Sequence, residues 1–406
     1  MKAEIPYGEK KIQIEIPQEH LLAVIHPLTS PESKNEEEII LHALQHPISS
    51  KPLRELAKGC QSAAIVVSDI TRPCPTYKFL SFLLEEIPLE NIQVIFALGI
   101  HRPLSSMEQK KLVGEKCFSR IKAVNFNPED VHFLGETSRG TPVEVFRSYL
   151  EADLKICTGN IEYHYFAGFS GGAKAVMPGI SSRRAIEHNH SFLLDPQAQP
   201  GKIYGNPVRE DIEEYGKLAG IDFLFNVVLN QEKEIIGAFA GNFQKAFFQG
   251  ASFYDRLFRT EINELADVII TSPGGHPKDL NLYQALKALE NVRGALKPGG
   301  TIILVASCPE GFGEPLFEEW ALSGLPPDEL IGRLKEKFLL GAHKAALLAQ
   351  MRKMFRIFLV SSFPPEIVRR IGLIPVDDLQ KEVNKAIVSK SIKVLLVPYG
   401  NVVHTI

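Results

Sequence analysis

The chain has 406 residues in proportions ordinary for a globular protein, 45% apolar and 23% charged, with a formal net charge of -3. That length favours two domains, each large enough to bury its own core. The near-balance of charge gives no footprint for nucleic acid or an anionic membrane, and no apolar run approaches the roughly 20 residues that span a bilayer.

The N-terminal stretch MKAEIPYGEKKIQIEIP alternates like two strands around Tyr7-Gly8 and lacks the apolar centre of a signal peptide. Strands are predicted at 62–68, 91–97 and 153–158, with helical patterns near 35–46, 76–86 and 105–113. These strands end in SDITRPCP, GIHRP and GNIEYHYFAGFSGGAK. Ligands of open parallel sheets bind beyond the strands' carboxyl ends, so one shared site is expected there. A second block begins near 266. ADVIITS (266–272) reads as a strand and 279–296 as a helix capped by Asp279. Strands at 300–307, 356–362 and 392–400 follow, with helical patterns at 313–322, 327–336 and 341–353 between them. The fold class is α/β, with two α/β domains and mainly parallel sheets. The boundary falls in the charged stretch 242–265, giving domains at 1–260 and 261–406. The apolar end, VLLVPYGNVV, reads as a buried last strand. Cys60, Cys74, Cys117, Cys157 and Cys308 are scattered without a CxxC pair, which excludes a zinc ribbon or disulfide framework and fits a reducing cytoplasm.

The densest chemistry lies at 159–190, where His164, a turn of Gly168, Ser170, Gly171 and Gly172, then Lys174, His188 and His190 follow one another. Bare backbone N–H groups in such a turn suit a phosphate. The P-loop pattern GxxxxGK[ST] fails, because Ala173 stands where its second glycine belongs and Ala175 follows Lys174. A plain glycine turn explains the glycines but not the lysine and histidines around them. Asp69 and Arg72 present a carboxylate and a guanidinium from one loop, and arginine suits a substrate carboxylate. A structural ion pair is the equal alternative. A lone histidine is more often structural than catalytic. His101 and His164, however, occupy comparable strand ends, and two histidines at one pocket can take a proton on one side and give it on the other. Gln284 and Lys287 share a helix face beside Tyr283, which without context reads as a solvated surface.

Together, SDITRPCP, GIHRP, HYFAGFSGGAKAVMPGI with a later NH, GNPVREDIEE and YQALK resemble the nickel-dependent lactate racemase family, in the expected order from about 65 to 290. The resemblance implies an active-site cleft between the two domains, the first carrying cofactor and metal. It implies nickel held by a pyridinium-3-thioamide-5-thiocarboxylic acid mononucleotide, a pincer joined covalently to Lys174 and supplied by cofactor-biosynthesis proteins. His190 would be the one protein ligand to nickel. His101 and His164 would be the acid and base. Arg72 would hold the substrate carboxylate, helped by Gln284 and Lys287. Asp69, Ser170, Gly171, Gly172 and Tyr283 would contact the cofactor. The implied reaction inverts C2 of a small 2-hydroxy acid through a 2-keto acid, by hydride transfer coupled to proton transfer. Tyr163 stands where proline is expected of lactate-specific members, and Gln199 where arginine is expected. Both bear on the substrate side chain.

Two other classes compete. A non-catalytic nucleotide-binding protein would have no need of Arg72, His101, His164, Lys174, His190, Gln284 and Lys287 together. A zinc hydrolase using His164, His188 and His190 lacks an HExxH motif and a carboxylate at ligand spacing.

Overall fold

In the computed structural model, the apolar run at 63–67 lies within strand Ser62–Ser68 and is buried on both faces, as central parallel strands are. The structure describes all residues except 27–34, 231, 261, 388, 390, 402, 403 and 406, with backbone alone at 404–405. Contacts divide the chain into two units, Thr29–Leu257 and Met1–Leu28 joined with Phe258–Ile406.

The first unit is built on a six-stranded sheet. Its order is Ile235–Gly241, Phe223–Leu229, Leu154–Asn160, Ser62–Ser68, Asn91–Ala97, Lys122–Asn125. Only the pairing of Ile235–Gly241 with Phe223–Leu229 is antiparallel. From Ser62–Ser68 the chain moves outward through Asn91–Ala97 to Lys122–Asn125. From Leu154–Asn160 it moves the opposite way. Strand order therefore reverses between Ser62–Ser68 and Leu154–Asn160, and such a reversal opens a crevice at the carboxyl ends of the two strands. The predicted helices form as Glu36–Gln45, Thr76–Glu86 and Ser106–Val113.

The second unit holds a parallel sheet in the order Ile374–Pro375, Arg356–Val360, Leu296–Val305, Ala266–Thr271, Val394–Val397, Leu21–Val24. Helix Leu282–Val292 buries Ala285, Leu286 and Leu289 against one face. The hairpin Lys2–Tyr7 and Lys10–Glu15 covers the other, with Ile5 and Ile14 packed on Val268, Ile270 and Ile303. This corrects the division at 1–260. The first residues belong with the C-terminal block, because the hairpin's apolar face is buried there and Leu21–Val24 pairs with Val394–Val397. The last predicted strand runs over Val394–Val397, and 402–403 lie outside the described residues. Asp279 is not the helix cap. Asn281 Oδ1 accepts from Gln284 N at 3.0 Å, while buried Asp279 accepts from Gly8 N at 2.7 Å and Ser307 N at 3.0 Å, pinning the hairpin turn to the sheet.

Candidate active site

Three neighbouring strands of the first unit deliver polar groups at their carboxyl ends. Ser62–Ser68 leads to Asp69 and Arg72, Asn91–Ala97 to His101, and Leu154–Asn160 to the short hairpin pairing His164 with Gly168.

Asp69 is buried, and its Oδ2 lies 2.6 Å from His101 Nδ1. Oδ1 accepts from Thr71 N at 3.1 Å and Thr71 Oγ1 at 2.7 Å. Burial pushes the Asp69 carboxyl up, but the hydrogen bonds from His101 and Thr71 outweigh it and hold it below the usual carboxylate range. An ionised Asp69 accepts only, so His101 Nδ1 carries the proton in this contact. His164 is arranged the other way, its Nδ1 accepting from Ala167 N at 3.3 Å.

Phe166, which the sequence reading did not single out, is the hub of the cluster. Its ring centroid lies 4.6 Å from that of His164 and 4.9 Å from that of His190, and Lys174 Nζ lies 5.7 Å above it. Among the described residues no carboxylate pairs with Lys174. Burial, then Arg209 and Arg72, push its amine well below the usual lysine range. The same forces keep the two histidines neutral. Burial leads for His164, followed by Lys174, Arg72 and His190. Burial with Lys174 and Arg72 lowers His190 to about 3. Arg72 is exposed and has no ion pair among the described residues. The structure thus brings Arg72, His164, Lys174 and His190 into one electrostatic cluster, with His101 tied to the loop that carries Arg72.

Two polar groups of the glycine turn have partners within the fold. Ser170 Oγ donates to Asn160 O at 2.8 Å and accepts from Glu162 N at 2.9 Å. Gly172 N donates to Asn226 Oδ1 at 2.7 Å. These groups are engaged within the fold. A β-carbon on Gly168 would strike the Lys202 carbonyl, and one on Gly172 would come 2.8 Å from the Phe247 ring, both at positive φ. The turn is glycine-rich so that Lys174 can be set close to its neighbours.

The segment GNPVREDIEE braces this loop. Asn206 Nδ2 donates to Phe166 O at 2.9 Å. Arg209, fully buried, donates to Ala167 O at 3.1 Å and to Phe169 O, pairs with Glu213 at 3.0 Å, and lies 4.2 Å from the centroid of the Phe247 ring. A buried arginine saturating two carbonyls could have been sought from the sequence only by asking what satisfies the hairpin's backbone.

Tyr163 turns its hydroxyl to Asp255 at 2.8 Å, and Gln199 is exposed with Nε2 on Pro196 O at 2.5 Å. In the second unit, Tyr283 packs on Phe317 and His343, and burial then Glu314 push its hydroxyl up to about 12. Gln284 and Lys287 stand half-buried on helix Leu282–Val292. Among the described residues no group of three or more His, Cys, Asp or Glu side chains could hold a metal ion.

The chain is 32% identical to the lactate racemase of Thermoanaerobacterium thermosaccharolyticum, covering 98% of this chain and 97% of that one. It belongs to the lactate racemase family. The lactate racemase of Lactiplantibacillus plantarum is 31% identical, with 98% of each chain covered. The lactate racemase N-terminal domain matches residues 7–201 and the lactate racemase C-terminal domain residues 262–404. Asp69, Arg72, His101, His164, Lys174 and His190 fall in the first, and Tyr283, Gln284 and Lys287 in the second. The lactate racemase apoprotein structure from Thermoanaerobacterium thermosaccharolyticum superposes with a TM-score of 0.91 at 32% identity, over 100% of both chains. A Thermotoga maritima protein at 20% identity and TM-score 0.65, over 93% of this chain and 100% of that one, shares the fold. This whole-length membership of a racemase family does not favour the non-catalytic reading. No helix among the described residues is long and apolar enough to cross a membrane.

Proposed function

We propose that this lactate racemase family member interconverts the enantiomers of lactate or a close 2-hydroxy acid, using a nickel-bearing pyridinium mononucleotide joined to Lys174. The observation that carries this is the convergence of Arg72, His164, Lys174 and His190 on one cluster, in a chain alike over its length to two lactate racemases.

The residues fit such a group. Burial and the nearby Arg209 and Arg72 favour the neutral form of the Lys174 amine, and a neutral amine is the nucleophile an amide-type link requires. His190 is a neutral imidazole, the form that binds a metal, and nitrogen beside cofactor sulfurs suits Ni(II). When bound, the pyridinium ring supplies a hydride acceptor that can also return the hydride.

The chain's own residues supply the rest. Arg72 grips the substrate carboxylate and turns the C2 hydrogen toward the ring. His101 receives the hydroxyl proton at Nε2, because Nδ1 is committed to Asp69. His164 meets the substrate with Nε2, because Nδ1 accepts from Ala167 N. The hydroxyl proton taken by one histidine must reach the face served by the other before it is returned, so the pair holds one transferable proton, and the reverse direction exchanges their parts. Phe166 and the buried loop around it exclude water. Further contacts from Tyr283, Gln284 and Lys287, dependence on cofactor-biosynthesis proteins and a cytoplasmic setting belong to the same proposal, on the strength of the family resemblance.

The test is to make the protein in a host carrying the cofactor pathway, supply one lactate enantiomer, and follow the mixture by chiral chromatography. Approach to an equal mixture from either side, lost when nickel is withheld, is the expected outcome. No interconversion of lactate or other short 2-hydroxy acids by protein carrying the Lys174 adduct would count against it.

A further inference from the structure

We propose that Asn189 and Asp211 are positioning residues that fix His190 with its proton on Nδ1 and the Nε2 lone pair toward a metal, an inference that rests on reading His190 as the ligand. The groups come from three elements. Asn189 and His190 lie on helix Arg183–Ser191, Asp211 on helix Pro207–Ala219, and Thr137 and Thr141 flank the turn between strands Val131–Glu136 and Pro142–Phe146. Asn189, Asp211 and Thr141 are fully buried, and Thr137 nearly so. No lysine or arginine pairs with Asp211 among the described residues.

Counting protons fixes every orientation. Asp211 accepts from Thr137 Oγ1 at 2.5 Å, Thr141 Oγ1 at 2.7 Å and Asn189 Nδ2 at 2.7 Å. The second N–H of Asn189 Nδ2 goes to Val208 O at 3.2 Å. Both of those partners are acceptors, so turning the amide over would set its oxygen against a carbonyl and a carboxylate. The amide is therefore locked with Oδ1 outward, 3.1 Å from His190 Nδ1. An amide oxygen can only accept, which makes Nδ1 the donor and leaves the lone pair on Nε2. Metal-binding histidines are commonly held this way, by a partner on the other ring nitrogen. Here the carboxylate acts at one remove, through an amide that carries no charge of its own.

The count also places His188. Thr141 spends its one hydroxyl proton on Asp211, so at 2.9 Å from His188 Nδ1 it accepts. His188 therefore donates into the network at Nδ1 and serves as its far anchor.

The test reads the tautomer directly. Nitrogen NMR of histidine-labelled, full-length apoprotein reports which nitrogen of His190 is protonated, with His190→Gln assigning the signal. Wild type should show Nδ1–H. Asn189→Ala should move the proton toward Nε2, and so should Asp211→Asn, by freeing the amide to turn over. After production with the cofactor pathway, both variants should keep the Lys174 adduct yet hold nickel about 10–100-fold more weakly against a chelator. An Nε2–H signal in wild type overturns the proposal, even if neither variant folds. A tautomer unchanged in folded variants overturns it as well. A shifted tautomer with undiminished nickel retention breaks the link to the metal and with it the ligand reading of His190. Loss of nickel in His190→Gln, with no change in Asn189→Ala, would leave the ligand reading standing and overturn only the positioning role.

Discussion

Asp69 Oδ2 lies 2.6 Å from His101 Nδ1, a buried carboxylate gripping a half-exposed imidazole. In the proposed mechanism that contact decides which nitrogen of His101 meets the substrate. Asp69→Asn keeps the shape but can turn an N–H toward Nδ1, which would move the ring proton to Nε2 and remove the acceptor. Turnover is expected to fall by about 10²–10⁴-fold, the usual range for losing a general base, with the Lys174 adduct retained. Steady-state kinetics and intact mass on one preparation check this. A kcat equal to wild type would reduce Asp69 to a structural role.

The two histidines make a separate prediction. Each replacement should damage racemisation in both directions, because the overall equilibrium is fixed and both half-reactions share one path. Single turnovers should differ. With His101→Ala one enantiomer still yields 2-keto acid and the other does not, and His164→Ala shows the reverse. Rapid quench with chiral substrates reads the difference, which at about 10²-fold or more is easily seen. Equal losses for both enantiomers in both variants would rule out opposite-face roles.

Burial, Arg209 and Arg72 all disfavour the Lys174 ammonium, so its neutral amine persists to lower pH than that of an exposed lysine. In apoprotein, trace labelling by acetic anhydride should show Lys174 half-titrating at a pH below that of the exposed lysines. Arg72→Leu removes one of the cations and should move the profile back up. A Lys174 profile that coincides with those of surface lysines would contradict the cluster's electrostatics.

Arg209 and Glu213 form a buried pair at 3.0 Å, with Arg209 also saturating the carbonyls of Ala167 and Phe169. Arg209→Leu removes the ion-pair partner of buried Glu213, a change that costs about 3–5 kcal/mol. Urea unfolding should record a loss of that size, and Arg209→Leu with Glu213→Leu should recover part of it. A loss near zero would mean that Glu213 is readily solvated.

Much of the first unit's candidate site is legible because its polar residues cluster along the chain. Asp69 with Arg72, His101, and the segment from His164 to His190 each follow an apolar run that marks a strand, and adjacent parallel strands bring such ends together. The strands Phe223–Leu229 and Ile235–Gly241 were not anticipated, since FLFNVVL carries no alternation to separate it from a buried helix segment. Phe166 was passed over because an aromatic in an apolar stretch reads as core, and it is core, with three functional groups on its surface. In the glycine turn the sequence shows that N–H groups are bare of side chains, but not that Gly172 N and Ser170 Oγ have partners in Asn226 and Asn160. Likewise the hairpin at 1–16 is visible as a hairpin, but Ile5 and Ile14 pack on Val268, Ile270 and Ile303, far along the chain and beyond any local pattern.

The most direct measurement is intact mass with metal analysis of the purified protein, made once with and once without the cofactor pathway. One mass increment located on Lys174, accompanied by about one nickel per chain and by interconversion of the substrate enantiomers, is the expected result. Full racemisation by protein of unmodified mass, with nickel absent, would contradict the central claim that chemistry at this site runs through a group tethered to Lys174.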